Sequence, residues 1–395
     1  MKASKVVFLV FLSLLSLCVV YVQSAKATED SWTPKTQMPT ARSGLGLAVV
    51  DDRIYAIGGY YSDNNEVYDP IAETWSTKKP MPTPRGGFAI AVFENKIYTF
   101  GGRIKYGGSS PPELTAVNEV YDPATDTWTT KASMPTPKAG LSANVVNGKI
   151  YLIGGFTYSN FTSHLSNENL VYDPLADSWA TATPIPTSVY DYASAVVDNK
   201  IYVISGHETE VISDNGTAHI PAPNQIYDPR TDTWASGAPM PYAVTYGAAA
   251  GATTGVVAPK AIYVMGGFVG FYAPFNLAQV YHPENDTWSL GADMPSPLFY
   301  LGVAVVKDQL YAIGGMTAIL TPSTAENKQY TPFGYGTIPP DQQRGFLGSS
   351  LPLEYGYAIV ASTAVAIGAA AILFYFRKSK SPKVNGKKTM PEAET

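Results

Sequence analysis

RGGFAIAVFENKIYTFGG, residues 85–102, followed after a variable stretch by NEVYDPATDTWTTKASMP, residues 118–135, is the unit whose reading decides the fold. Its parts recur along the chain. An apolar run ending in glycines appears before Gly58-Gly59, Gly101-Gly102, Gly154-Gly155, Ser205-Gly206, Gly266-Gly267 and Gly314-Gly315. A Tyr-x-Pro follows each time, at Tyr68, Tyr121, Tyr172, Tyr227, Tyr281 and Tyr330. All 6 tryptophans, at 32, 75, 128, 179, 234 and 288, occupy one repeat position ahead of Met-Pro or Ile185-Pro186. A period near 50 residues with several markers in register is the signature of a repeat architecture.

Short strands, labelled A to D in chain order, can be read along each unit. Strand A, such as 45–50, is apolar at consecutive positions, as an inner strand packed on both faces requires. A short polar turn (Asp51-Asp52, Glu94-Asn95, Asn147-Gly148, Asp198-Asn199) leads to strand B, which carries Ile-Tyr and ends at the glycines. Strand C ends at Tyr-Asp-Pro, where Asp and Pro favour a type I turn. Strand D opens with Trp, a side chain large enough to fill the space between neighbouring units. High Gly, Pro and Tyr content (34, 31 and 27 residues) suits many short strands joined by turns.

The double glycine, the Tyr-Asp-Pro and the spaced Trp resemble the kelch family of β-propellers over roughly three quarters of the chain. The resemblance implies an all-β fold in which each repeat is one four-stranded blade around a central channel. Six A-B-C sets begin near Arg42, Arg85, Lys138, Val189, Val244 and Leu298. The last ends at Tyr330 with no Trp after it, whereas a lone D-type segment, Ser31-Trp32 to Met38-Pro39, precedes the first. The chain therefore predicts a six-bladed ring closed by its N-terminal outer strand, which removes two open sheet edges.

In such a blade the B–C and D–A connections share one face, and the A–B and C–D turns share the other. The B–C segments vary most in length, and variable loops on a rigid scaffold are where binding sits. The residues leading into strand A are Arg42, Arg85, Lys138, Val189, Val244 and Leu298; two positions on come Gly44, Gly87, Gly140, Asp191, Tyr246 and Tyr300. The candidate ligand-binding residues are thus Arg42, Arg85, Lys138, Tyr190, Asp191, Tyr246 and Tyr300, with Arg103 from the second B–C loop. A cationic half facing an aromatic half suits an acidic sugar or peptide. The structural alternative is that Arg42, Arg85 and Lys138 bond to neighbouring loop carbonyls.

The ends carry addresses. Residues 1–27 have the basic start, apolar run and Ala25-Lys26-Ala27 of a secretory signal. Residues 28–332 are the propeller, and 333–354 form a Pro-, Gly- and Ser-rich stalk. Tyr355–Phe376 lacks charge and as a helix would span roughly 33 Å, enough to cross a bilayer. The basic tail 377–395 marks the cytoplasmic side. The expected localisation is the cell membrane, single-pass, with the propeller outside. Asn160, Asn215 and Asn285 head sequons and are candidate N-glycan acceptors there.

Composition excludes several classes. The formal charge is −5, and the two terminal segments carry more basic than acidic residues, so the propeller itself is more acidic and nucleic acid is not expected as a partner. The single cysteine, Cys18, lies in the signal, so the mature chain has no thiol for a disulfide, a nucleophile or a Cys–zinc site. His207, Glu208, Glu210, Asp214 and His219 match no metal spacing and read as a solvated loop, so no metal and no cofactor are expected. The expected function is recognition of an extracellular protein or glycan on the B–C face. The alternatives are a structural subunit of a surface layer or membrane complex, and a sugar mutarotase. The last is a kelch activity implied by resemblance alone; it needs only acid–base side chains at the channel, whereas the copper-oxidase type needs a cysteine this chain lacks.

Overall fold

The computed structural model describes residues 28–337, apart from 106–111, 160–161, 208–210, 213–217, 220–222, 245–248 and 270–272. The segments expected to be a signal (1–27), a membrane span (355–376) and a tail (377–395), and nearly all of the expected stalk, lie outside the described residues. Among those described, no helix is long and apolar enough to cross a membrane.

Six four-stranded antiparallel sheets carry the chain. Blade 1 consists of Gly46–Val50, Arg53–Ile57, Asn65–Asp69 and Thr74–Lys78, paired in that order. Blades 2 to 5 repeat it, with inner strands Ala89–Phe93, Ser142–Val146, Ala193–Val197 and Ala249–Ala252. In blade 6, Gly302–Val306, Gln309–Ile313 and Asn327–Thr331 take Ser31–Pro34 as their outer strand, with Trp32 opposite Tyr330. The inner strands neighbour one another in cyclic order, and that of blade 6 returns to that of blade 1. The six-bladed ring closed by the N-terminal strand is the architecture expected from the sequence.

The core follows from this arrangement. A single twisted sheet cannot bury both of its faces, so the apolar side chains collect between blades. Six clusters result, each drawn from two adjacent blades; Phe100, Tyr172 and Trp179 join blades 2 and 3, and Met38, Tyr68 and Trp75 join 6 and 1. The tyrosines of the Tyr-x-Pro motif are almost fully buried in these clusters.

Polar clamps tie each blade to the one before it. Every Trp indole donates back to a carbonyl of the preceding D–A connection: Trp75 to Thr36, Trp128 to Lys79, Trp179 to Ala132, Trp234 to Thr183, Trp288 to Ala238 and Trp32 to Ala292, all at 2.9–3.0 Å. The acidic residue two before the Trp adds a second tie. Asp126 accepts both the Tyr121 hydroxyl (2.6 Å) and the Lys79 amide (2.9 Å) of blade 1. Asp177, Asp232, Asp286 and Asp30 make the same pair of bonds. All have positive φ, between 49° and 55°, which Asp tolerates. Blade 1 has Glu73 here instead. Its side chain pairs with Lys35, and the buried Tyr68 hydroxyl lacks the carboxylate its five counterparts have. Desolvation pushes Tyr68 up to about 12.

The glycine pair has a steric cause. A Cβ on Gly101 would lie 2.4 Å from the Lys138 carbonyl, at a φ of +63°. Blade 4 has Ser205 at that position, and its hydroxyl donates instead to the Val244 carbonyl at 2.7 Å. The A–B turns are two-residue hairpins with both residues left-handed, such as Asp51 and Asp52. The exception, in blade 5, is held by Asp308, which accepts the amides of Thr254, Val256, Val257 and Ala258. His282, in place of the turn Asp, keeps the turn and bonds Ser289 at 2.8 Å.

Two outcomes are expected from the clamp. Tyr121→Phe should lower unfolding stability by about 1 kcal/mol, whereas Tyr68→Phe should cost nothing and Glu73→Asp should add about 1 kcal/mol, measured by denaturant unfolding. The carboxyls of Asp126, Asp177 and Asp232 are held low, chiefly by their tyrosine hydroxyls, and that of Asp286 chiefly by the Ala238 amide. Their stabilisation is complete above the unfolded Asp value of about 3.9 and is lost as pH falls through the lower folded values, so a pH series of melts should show the drop on the acid side only.

Candidate functional site

The channel mouth on the B–C face is built from two registers of the repeat. The first is the residue two positions after the lead into strand A. Gly44, Gly87, Gly140, Asp191 and Tyr300 are all left-handed there, with φ between 49° and 66°. Their backbones form a chain of bonds around the opening. Gly44 N–H donates to Tyr300 C=O (2.8 Å), Gly87 to Gly44 (2.9 Å), Gly140 to Gly87 (3.0 Å) and Asp191 to Gly140 (2.8 Å). Tyr246, the remaining member of this register, lies outside the described residues.

The second register is the residue after each double glycine: Tyr60, Arg103, Phe156, His207, Phe268 and Met316. These extend strand B over the mouth and bridge to the start of strand A, as in Gly86 with Arg103, Ala139 with Phe156, Tyr190 with His207 and Phe299 with Met316. Four B–C loops continue as short hairpins, for example Phe156–Ser159 with Thr162–Leu165.

The two registers converge on one carboxylate. Asp191, from blade 4, accepts the Tyr300 hydroxyl of blade 6 at 3.2 Å, and the Arg103 guanidinium of blade 2 lies 3.9 Å away. Arg103 also donates to the Tyr60 hydroxyl at 3.3 Å and stacks 4.7 Å over the Phe156 ring. Tyr60 meets Tyr300 edge-on at 5.3 Å, while Tyr190 stands between Phe156 and His207. The side chains of Asp191 and Arg103 are only 7% and 11% exposed. Burial pushes the Asp191 carboxyl above the usual carboxylate range, against the pull of Arg103, Tyr300 and His207. The result is a carboxylate, a guanidinium and phenol hydroxyls within an aromatic rim, able to hydrogen-bond and stack on a ligand.

Of the predicted site residues, Arg103, Tyr190, Asp191 and Tyr300 come together here. Arg42, Arg85 and Lys138 do not. Their side chains turn into their own blades and are buried. Arg42 pairs with Glu66 at 2.7 Å and donates to the carbonyls of Ala56, Gly58 and Asn64. Arg85 pairs with Glu119 and bonds Thr83 and Thr99; Lys138 pairs with Glu168 and Ser166. Desolvation lowers all three against the pull of their glutamates. A readable signal lay in the register: where Val189 and Val244 replace the cation, Gln225 and Gln279 replace the glutamate and bond the D–A backbone instead. In these two blades charge and counter-charge are exchanged together, as an intrablade role requires. Tyr60 and Phe156 escaped the sequence reading, although their place directly after a double glycine could have found them. Asn285 is exposed in a C–D turn, and Asn160 and Asn215 lie outside the described residues. Among the described residues no group of three or more His, Cys, Asp or Glu could hold a metal.

Six blades, a closed ring and a loop-built mouth define a β-propeller of the kelch-repeat class. The profile of the KLHDC2/KLHL20/DRC7 Kelch-repeats domain matches residues 46–234 and 106–315, and the chain belongs to this kelch-repeat family. It is similar to Kelch-like protein 25 of Xenopus tropicalis, 29% identical over 210 residues that cover 52% of this chain and 34% of that protein. It is also similar to Kelch-like protein terF of Aspergillus terreus, 30% identical over 315 residues that cover 76% and 56%. The chain thus spans a third to just over half of these relatives' lengths. The solved structure of YjhT superposes with a TM-score of 0.61 over 74% of this chain and 95% of that one; at 17% identity it shows a common fold. Kelch propellers are in general interaction modules without chemistry of their own.

Arg42→Val alone should destabilise the protein by about 3–5 kcal/mol, because Glu66 is left charged and buried. Adding Glu66→Gln should recover most of that loss in the same unfolding assay, by copying the pairs of blades 4 and 5.

Proposed function

We propose that this chain is a membrane-anchored extracellular recognition module that binds a protein or glycan ligand at the mouth of its B–C face. The observation that carries this reading is the convergence of Arg103, Asp191 and Tyr300, from three separate blades, on one point inside an aromatic rim. Neither the ring nor the blade core requires that convergence, since Gly44, Gly87 and Gly140 fill the same register with no side chain at all. Arg103 supplies planar donors for a carboxylate or hydroxyl, and Tyr60 and Tyr190 supply flat apolar surface for a sugar ring or an apolar side chain. Anchoring rests on the sequence of residues 1–27 and 355–376, which gives a secretory start and a stop-transfer span with a basic flank. Residues 333–354 act as the stalk, and Asn160, Asn215 and Asn285 as glycan acceptors.

A second reading, sugar mutarotation, is favoured by one feature. Asp191 retains its proton to higher pH than an ordinary carboxyl, beside a phenol and an imidazole, as an acid–base group would.

The full-length protein in lipid nanodiscs, screened against a glycan array and a panel of cell-surface proteins, is expected to show saturable binding. Arg103→Ala should weaken it at least about tenfold with little change in melting temperature, while Arg42→Val with Glu66→Gln should leave it intact. Binding indifferent to Arg103→Ala would move the site elsewhere. Anomer exchange accelerated by the protein and lost on Asp191→Asn would replace binding by catalysis. Surface biotinylation of intact cells should label the propeller and spare the tail.

A further inference from the structure

On the A–B face, opposite the mouth, two departures from the repeat meet. The first is the A–B loop of blade 5. The other blades turn here in two residues, whereas residues 253–261 lie between Ala249–Ala252 and Ile262–Met265. Asp308, in the A–B turn of blade 6, accepts the amides of this loop and is only 2% exposed; its counterpart in blade 1, Asp52, has a side chain that is 54% exposed. The second departure is the missing D strand of the last copy. Tyr330-Thr331-Pro332 opens the usual turn, but Ser31–Pro34 holds the outer place in blade 6, so residues 332–337 run on elsewhere.

They run to the blade 5 loop. The segment first folds on itself: the Tyr335 amide donates to the Pro332 carbonyl at 3.2 Å, and the Thr337 amide and hydroxyl donate to the Gly334 carbonyl at 3.1 and 2.7 Å. The Gly336 amide then donates to the Val257 carbonyl of the loop at 2.7 Å. Gly334 lies against the same loop, where a Cβ would stand 3.0 Å from the Pro259 ring at a φ of +76°. Its amide donates to the Glu29 carboxylate at 3.0 Å. Burial raises the pKa of the half-buried Tyr335 hydroxyl, and the nearby Asp308 adds to it. Glu29 stands just before the closing strand, whose far end is pinned by the Lys35 amide on the Asn327 carbonyl at 2.9 Å.

The pairing of Ser31–Pro34 with Asn327–Thr331 is where the ring closes without a covalent connection. It is a short outer strand, half-buried at best, and such a strand opens locally unless its ends are tied. We propose that residues 332–337 are a strap that locks the ring: docked in the blade 5 loop, they hold the start of the closing strand through Glu29, and the strand leaves blade 6 only when the strap leaves the loop. The loop is the dock. Asp308 fixes its shape by accepting the amides of Thr254, Val256, Val257 and Ala258. Two left-handed glycines, 334 and 336, let the strap turn tightly enough to reach both partners. The strap lies on the face away from the mouth and does not depend on what binds there, so Arg103→Ala leaves it unchanged.

The test is native-state hydrogen exchange on the full-length chain in detergent micelles, read at the amides of Ser31, Trp32 and Thr33. Gly336→Pro deletes the amide that reaches Val257 and cannot adopt the φ of +74° found there. It should speed exchange at those three amides at least about tenfold, while the inner strands of blades 2 and 3 keep their protection. Gly334→Ala, which sets one carbon against the Pro259 ring, should repeat the effect in smaller measure without touching a blade. Asp308→Ala should also speed exchange at the closing strand, and combined with Gly336→Pro it should add nothing there, because both undo one dock. Exchange at 31–33 that ignores Gly336→Pro overturns the proposal. So does equal acceleration in blades 2 and 3, which would mark a loss of global stability and no lock. Additive effects of Asp308→Ala and Gly336→Pro overturn the coupling of loop to strap.

Discussion

Each blade depends on the one before it. A four-stranded twisted sheet has two apolar faces and no means of covering either, so the smallest stable object is the closed ring. The tie is specific as well as apolar. A tryptophan indole and an aspartate carboxylate reach back to the backbone of the preceding D–A connection, and the aspartate also takes the hydroxyl of a buried tyrosine. Six blades have six indole ties, five of them joined by the aspartate. The sixth comes from Asp30 and Trp32, at the far end of the chain from the strands they complete. Closure by the N-terminal strand is thus a consequence of the clamp as much as of strand pairing. The blade 6–blade 1 seam, where Glu73 interrupts the pattern, is its least satisfied joint.

Position in the ring, more than residue type, decides what a charge does. Arg42 and Arg85 stand within a few residues of the channel, yet each turns into its blade, where a glutamate and several strand-end carbonyls compensate its burial. Arg103 leaves the sheet one residue beyond a double glycine, over the channel mouth. It is met instead by Asp191, Tyr60 and Phe156 from three other blades. The same step past the glycines places Tyr60, Phe156, His207, Phe268 and Met316 around the opening, so the repeat builds the mouth with one register and varies it by identity alone.

How much of this was legible follows from locality. The double glycines, the Tyr-x-Pro turns and the six tryptophans are local requirements: a backbone approach too close for a Cβ, a tight turn, a gap to be filled. They are written at fixed spacing, so blade count, strand order and the ring seam could be read from the chain. The exchange of Arg–Glu for Val–Gln was written there too, but only as a relation between positions 24–36 residues apart. Candidate site residues were legible as a register and not as partners. Asp191 and Tyr300 are 109 residues apart, and only ring closure brings them to 3.2 Å.

The sequence by itself determined a closed propeller of six blades and its kelch character, because each rests on a pattern repeated within one or two turns of chain. Tertiary structure decided which charges face inward and which aromatics meet over the channel. Those outcomes depend on distances across the ring, and no spacing along the chain encodes a distance between blades that touch only once the circle is complete.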